Sequence, residues 1–90
     1  MYQIATTNQF KKDYKLCKRL GYKLNLINIL FAQLEKDGTV NSKFNPHKLT
    51  GNYKGFWECH IQPDWLLLWL IDEDEMLITL SRTGTHSDLY

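Results

Sequence analysis

The sequence has little of what most specialised chain classes require. Its 90 residues include only two cysteines, Cys17 and Cys59, and two prolines. Neither cysteine belongs to a C-x-x-C pair, which excludes the dense disulfide framework of a small secreted domain. Both are expected to be reduced, with Cys17 on a buried helix face, because a free cysteine behaves as a small hydrophobe. Long hydrophobic runs are also missing. The longest, Trp65 to Ile71, is too short to cross a bilayer. Met1-Tyr2-Gln3-Ile4-Ala5 lacks the charged start and apolar stretch of a signal peptide. A cytoplasmic protein without a membrane partner is the expectation. Basic residues are nearly absent from the closing third. Residues 55–90 carry one Arg against seven Asp/Glu, a formal −6, whereas residues 1–54 carry ten Lys/Arg against three Asp/Glu, or +7. The net charge of +1 therefore hides a basic half able to dock on a polyanion.

What is present points to one globular domain: 43% hydrophobic residues, 13% of the chain aromatic, and enough length for a single core. Tyr2 to Thr6 alternates and reads as a short strand. Thr7 and Asn8 offer N-cap oxygens. Phe10, Tyr14, Cys17 and Leu20 then recur at helical spacing, with Lys11, Lys12, Lys15, Lys18 and Arg19 around the rest of the circumference and Gly21 as the stop. Lys23 to Asp37 reads as a second helix, closed by Gly38. The hairpin should return the next strand antiparallel to the first.

Thr39 to Lys54 shows neither period and reads as a long basic loop. Gly55 to Ile61 alternates, placing Phe56, Glu58 and His60 on one side and Trp57, Cys59 and Ile61 on the other. Pro63-Asp64 supplies a turn. Trp65 to Ile71 is apolar on both faces and should be a central strand. The acidic run Asp72 to Glu75 reads as a turn, Met76 to Arg82 as the last strand, and His86 to Tyr90 as a short tail. The expected architecture is α+β: β-α-α-β-β-β, a helical hairpin on one face of a four-stranded, mainly antiparallel sheet.

All three histidines, His47, His60 and His86, flank a strand or sit in the long loop, together with Asp64 and Arg82. Gathered at one rim, they suit proton transfer on both sides of a phosphorus centre. A neutral imidazole takes a proton from the nucleophile and a protonated group donates to the leaving oxygen. Asp64 would orient an imidazole, and Arg82 has the forked donors that stabilise charge on phosphoryl oxygens. No metal site is expected, since no H-x₃-H, C-x-x-C or H-E-x-x-H pattern occurs. Cys59 and His60, adjacent on a strand, also point to opposite faces. Trp65 and Trp69 read as core. Tyr90, beside His86 at the terminus, could stack on a base. Lys48 and Lys54 are candidate substrate contacts, and the lysines and arginine of the first helix are candidates for docking on RNA phosphates.

Three stretches carry a resemblance: Asn45-Pro46-His47-Lys48-Leu49-Thr50-Gly51, Glu58-Cys59-His60-Ile61-Gln62-Pro63-Asp64-Trp65, and Arg82 to Tyr90. Their motifs H-x-L-x-G, H-x-x-P-D-W and R-x-G-[ST]-H-x-x-L-[FY], in that order, resemble the YafQ branch of the RelE/ParE toxin superfamily. The resemblance implies the toxin of a type II toxin–antitoxin module, one that cleaves mRNA in the A site of the 70S ribosome. The RNA 2′-hydroxyl would attack without a cofactor or metal. It also implies that His47, His60, Asp64 and His86 are active-site positions, that Arg82 supports the phosphate, and that Tyr90 replaces a functional phenylalanine. A DinJ- or RelB-like antitoxin would be the partner. The rival class is a ParE-like gyrase inhibitor without catalysis, which has no reason to carry three histidines with Asp64 and Arg82. A third is a non-catalytic interaction domain working through the helical hairpin.

Overall fold

Thr7 ends an extended segment and starts a helix: its hydroxyl accepts the Phe10 N–H at 3.0 Å, satisfying a donor that the first helical turn leaves free. In the computed structural model, which describes residues 1–90, β1 (Gln3–Thr6) precedes this cap and α1 (Asn8–Arg19) follows it. Phe10 and Cys17 bury the apolar stripe of α1, and Gly21 sits just past its end at φ 82°. The second helix, α2 (Leu24–Asp37), buries Ile27, Leu30 and Leu34 completely. It stops at Gly38, whose φ is 74° and whose α-carbon lies against Tyr2; a β-carbon there would come within 2.5 Å of the Tyr2 ring. Backbone and packing both demand glycine.

The sheet has five strands, one more than expected. Residues His47–Lys48 form a two-residue β2 inside the segment that reads as an irregular loop. It pairs antiparallel with β3 (Trp57–Gln62), and β4 (Trp65–Asp72) and β5 (Leu77–Gly84) follow in the order β1-β5-β4-β3-β2. Two residues leave no periodicity to read, so only the partner strand reveals β2. The strand expected to return antiparallel to β1, now β3, instead runs in the same direction as β1 and is separated from it by β4 and β5. The helical hairpin carries the chain across the sheet, so that β1 becomes an edge strand paired in parallel with β5. The last strand runs on to Gly84 through a register shift opposite Leu68 and Trp69, rather than ending at Arg82.

Strand β4 is central and buried on both faces, as its unbroken apolar run requires. Trp65, Leu67 and Trp69 join the main core beneath the two helices. Leu66 and Leu68 face the other way and meet Leu89, with Leu49 and Tyr53 packed alongside. Leu89 belongs to α3 (His86–Leu89), a single turn closed by a capping box between Thr85 and Asp88. Burying one such leucine contributes about 1.5–3 kcal/mol, which holds the tail against the face that the helices leave open. The acidic run is a plain turn, with Asp72 accepting the N–H groups of Asp74 and Glu75.

Candidate active site

Alternation along β3 sends Cys59 and Ile61 into the main core and turns Glu58 and His60 to the tail side of the sheet. Register then places His47 of β2 directly opposite Glu58. Glu58 is 5% exposed, an unusual depth for a carboxylate. Its burial is matched by polar neighbours: Oε1 lies 3.1 Å from His47 Nε2 and 3.9 Å from His60 Nε2, and Oε2 accepts the Tyr90 hydroxyl. Burial, and then the bond to Glu58, push the Tyr90 phenol well above its ordinary range, so Tyr90 remains a proton donor.

At the far end of β3 a register shift between His60 and Gln62 leads into the Pro63-Asp64 turn. Asp64 Oδ1 accepts from His86 twice, from ring Nδ1 at 2.6 Å and from the backbone N–H at 3.0 Å. The backbone bond first, then the ring bond, hold the Asp64 carboxyl below the usual range, so it stays ionised. His86 is thereby oriented with Nδ1 on the carboxylate and Nε2 unclaimed.

The rings form a continuous row across the sheet surface. Centroids are 6.0 Å apart for His47–His60 and 5.9 Å for His60–His86. Tyr90 follows 6.5 Å from His86 and meets Tyr53 edge-on at 5.0 Å. Each of the first two histidines has its Nδ1 at a backbone carbonyl, His47 at Asn45 (2.8 Å) and His60 at Pro63 (3.3 Å). Carbonyl oxygens only accept, so both rings donate from Nδ1, which leaves His47 Nε2 against Glu58 Oε1 at 3.1 Å and His60 Nε2 at 3.9 Å from the same oxygen. His47, His60, Asp64, His86 and Tyr90 therefore come together from three different segments.

Arg82 is placed differently. Its Nε donates to Asp13 Oδ2 at 2.7 Å and its Nη2 lies 3.4 Å from Oδ1. Asp13 is buried on α1 and also accepts the Thr83 N–H, a β5 edge donor just past the point where β1 stops pairing. The Asp13 bond raises the arginine pKa further, and the guanidinium is committed to α1 rather than bonded to any histidine. Lys48 stands over the Trp57 ring at 5.7 Å, and Lys54 is exposed beside Tyr53. Lys11, Lys12, Lys15, Lys18 and Arg19 are all exposed on α1, in the helical layer, across the sheet from the histidine row. Trp65 and Trp69 are core, the former donating its indole N–H to Thr83.

Sequence reasoning missed Glu58 and Asp13. Glu58 was within reach, since alternation already put it on the face of His60. Asp13 interrupts the apolar stripe of α1, which is a visible anomaly, but its partners lie about 70 residues away.

This constellation can be set beside known proteins. The family model for a bacterial toxin of type II toxin–antitoxin systems, YafQ, matches residues 2–90. The chain belongs to the YafQ toxin family. A relative, the mRNA interferase toxin YafQ of Escherichia coli K12, is 30% identical over 88 residues, covering 97% of this chain and 94% of that protein. The YafQ subunit in a crystal structure of the E. coli DinJ–YafQ complex superposes with a TM-score of 0.89 at 28% identity, over 100% of this chain and 99% of that one. A metal-bound toxin from Helicobacter pylori reaches a TM-score of 0.91 at 36% identity over the whole of both chains. Membership in the YafQ family accounts for the α+β fold, and its toxin–antitoxin setting gives the histidine row a context.

Proposed function

We propose that this YafQ-family toxin is a ribosome-dependent endoribonuclease that cuts mRNA in the A site of the 70S ribosome. The observation that supports it is the row of imidazoles whose Nδ1 atoms are held by Asn45, Pro63 and Asp64 and whose rings follow one another at about 6 Å. Similarity to a protein named as an mRNA interferase supplies the substrate class.

In this account His60 acts as the base. Its Nδ1–H is held by a neutral carbonyl, leaving the Nε2 lone pair to take the proton of the RNA 2′-hydroxyl. The 2′ oxygen bonds to phosphorus and the P–O5′ bond breaks. His86, oriented by the ionised Asp64, donates a proton to the leaving 5′ oxygen. The products are a 2′,3′-cyclic phosphate and a 5′-hydroxyl. Glu58 holds the His47 and His60 rings in place, His47 contacts the scissile phosphate, Tyr90 stacks on a neighbouring base, and Lys48 and Lys54 contact the strand. Arg82, fixed by Asp13, adds positive potential at the rim. No metal takes part in the chemistry.

The antitoxin, a DinJ- or RelB-like protein, is assigned to the opposite layer. There a cleft of about 490 Å³ between α1 and α2 has an apolar floor of Phe10, Tyr14, Leu24 and Phe31 and a rim of Lys11, Lys15 and Lys18. Such a cleft suits an amphipathic segment with acidic edges. The same basic surface contributes to docking on ribosomal RNA, so antitoxin and ribosome compete for it.

The test is end-group analysis of mRNA incubated with the purified toxin, with and without 70S ribosomes. Cyclic-phosphate and 5′-hydroxyl ends only when ribosomes are present is the expected result. Cleavage of naked RNA at the same rate would remove the ribosome from the account.

A further inference from the structure

We propose that the cleft beyond His60, at the outer edge of β3, is a subsite for a purine base, that of the RNA nucleotide whose 2′-hydroxyl attacks. The proposal rests on the ribonuclease reading above and fixes the direction in which the strand crosses the histidine row. β2 pairs only with Trp57 and Glu58, so from Cys59 onward no strand lies on the outer side of β3. The helical turn Ser42–Phe44 packs there instead, and an open cleft of about 360 Å³ separates the following residues from the end of β3. That volume falls within the range of small-ligand sites, about 300–1,000 Å³.

The lining is that of a base pocket. Phe44 and Ile61, both buried, form an apolar floor, and Lys43, Asn45 and Gln62 are exposed around it. Two backbone irregularities bring the amides to the cleft. Asn45 sits in the left-handed region at φ 53°, which asparagine tolerates better than most residues. Gln62 follows the register shift at the end of β3, and a bulge re-aims side chains. The bonds that shape the loop use other groups: Asn41 Oδ1 accepts the Lys43 backbone N–H, and the Asn45 carbonyl meets His47 Nδ1.

Unpaired RNA bases are recognised by stacking or packing a face and hydrogen-bonding an edge. A side-chain amide offers a donor beside an acceptor and bonds bidentately to N6 and N7 of adenine, while lysine donates to N7 and O6 of guanine. Both purines carry N7 on that edge and pyrimidines lack it, so Lys43, Asn45 and Gln62 together favour a purine.

Position decides which nucleotide enters. The cleft shares His60 with the row but is lined by neither His86 nor Tyr90. His60, as the base, must meet the 2′-hydroxyl, which belongs to the nucleotide on the 5′ side of the cut. His86, as the acid, meets the 5′ oxygen of the next nucleotide. The base before the cut therefore reaches the cleft, and the base after it reaches Tyr90.

The test is the rate of ribosome-dependent cleavage on messages that vary the base on either side of the cut, for wild type, Asn45→Gly and Gln62→Ala. Glycine keeps the left-handed backbone while deleting the amide. Wild type should cut after a purine about tenfold faster than after a pyrimidine. Each variant should lose most of that ratio, slowing on purine messages and not on pyrimidine ones; a folding defect would lower all rates together. No purine preference in wild type, a ratio unchanged in both variants, or a change confined to the base after the cut overturns the subsite while the nuclease reading stands. If ribosomes yield no cuts at all, that reading fails and NMR decides on the cleft alone. The Asn45 and Gln62 side-chain amide signals should then shift with adenosine or guanosine 3′-monophosphate and not with cytidine 3′-monophosphate. No shift with either purine nucleotide, or an equal shift with the cytidine one, overturns the subsite.

Discussion

Asp64 holds His86 by two bonds to one carboxylate oxygen, 2.6 Å from the ring and 3.0 Å from the backbone. One contact orients the imidazole and the other docks the short α3 turn. The orientation of the imidazole and the attachment of the tail therefore depend on the same oxygen, although Asp64 and His86 are themselves exposed.

Replacing His86 should separate chemistry from stability. His86→Ala removes the proposed general acid from an exposed position that contributes little packing. Cleavage should fall about 10²- to 10⁴-fold while the urea midpoint moves little. Translation arrest of wild-type strength in this variant would remove His86 from the mechanism.

Acid should loosen the tail before it unfolds the domain. The His86 bonds depress the Asp64 pKa in the folded state, so their stabilising effect is complete above the ordinary carboxylate pKa. It is lost as pH falls through the lower, folded-state value. NMR of the Tyr90 ring, followed downward in pH, should show the tail detaching in that window. Asp64→Asn should show no such step there.

Asp13→Ala should cost stability. It strips Arg82 of its carboxylate and leaves the Thr83 N–H without its acceptor. Losing hydrogen bonds that involve a charged group costs about 1.5–3 kcal/mol, readable as a shift in urea midpoint. An unchanged midpoint would mean that water replaces Asp13 at the β5 edge.

The buried thiols should be inert in the native protein. Burial pushes Cys17 up to about 11 and Cys59 up to about 12, far from the thiolate form at neutral pH. A thiol reagent should label both only in denaturant. Rapid native labelling of Cys59 would show that β3 opens.

Much of this arrangement is legible in the residues. Helical spacing from Phe10 to Leu20 marks α1, the unbroken run from Trp65 to Ile71 marks the central strand, and the three motifs mark the histidines. The rest depends on contacts far apart in sequence. No local pattern says that β1 will pair with β5 from the edge of the sheet, because the crossover is decided by which apolar faces must be covered. β2 exists only because Glu58 and Trp57 offer it partners. Glu58 looks like any solvent-facing strand residue until His47, His60 and Tyr90 close over it. Arg82 reads as a free phosphate ligand until Asp13 takes its Nε.

Cutting of mRNA on the ribosome by the histidine row leaves a signature in the message ends. Sequencing of mRNA 5′ ends after induction of the wild-type toxin and of His86→Ala tests it most directly. New 5′ ends at a fixed position within codons, in the reading frame, are expected for wild type, with their near-complete absence in His86→Ala. Intact messages with damaged DNA, or identical cuts from both proteins, would contradict it.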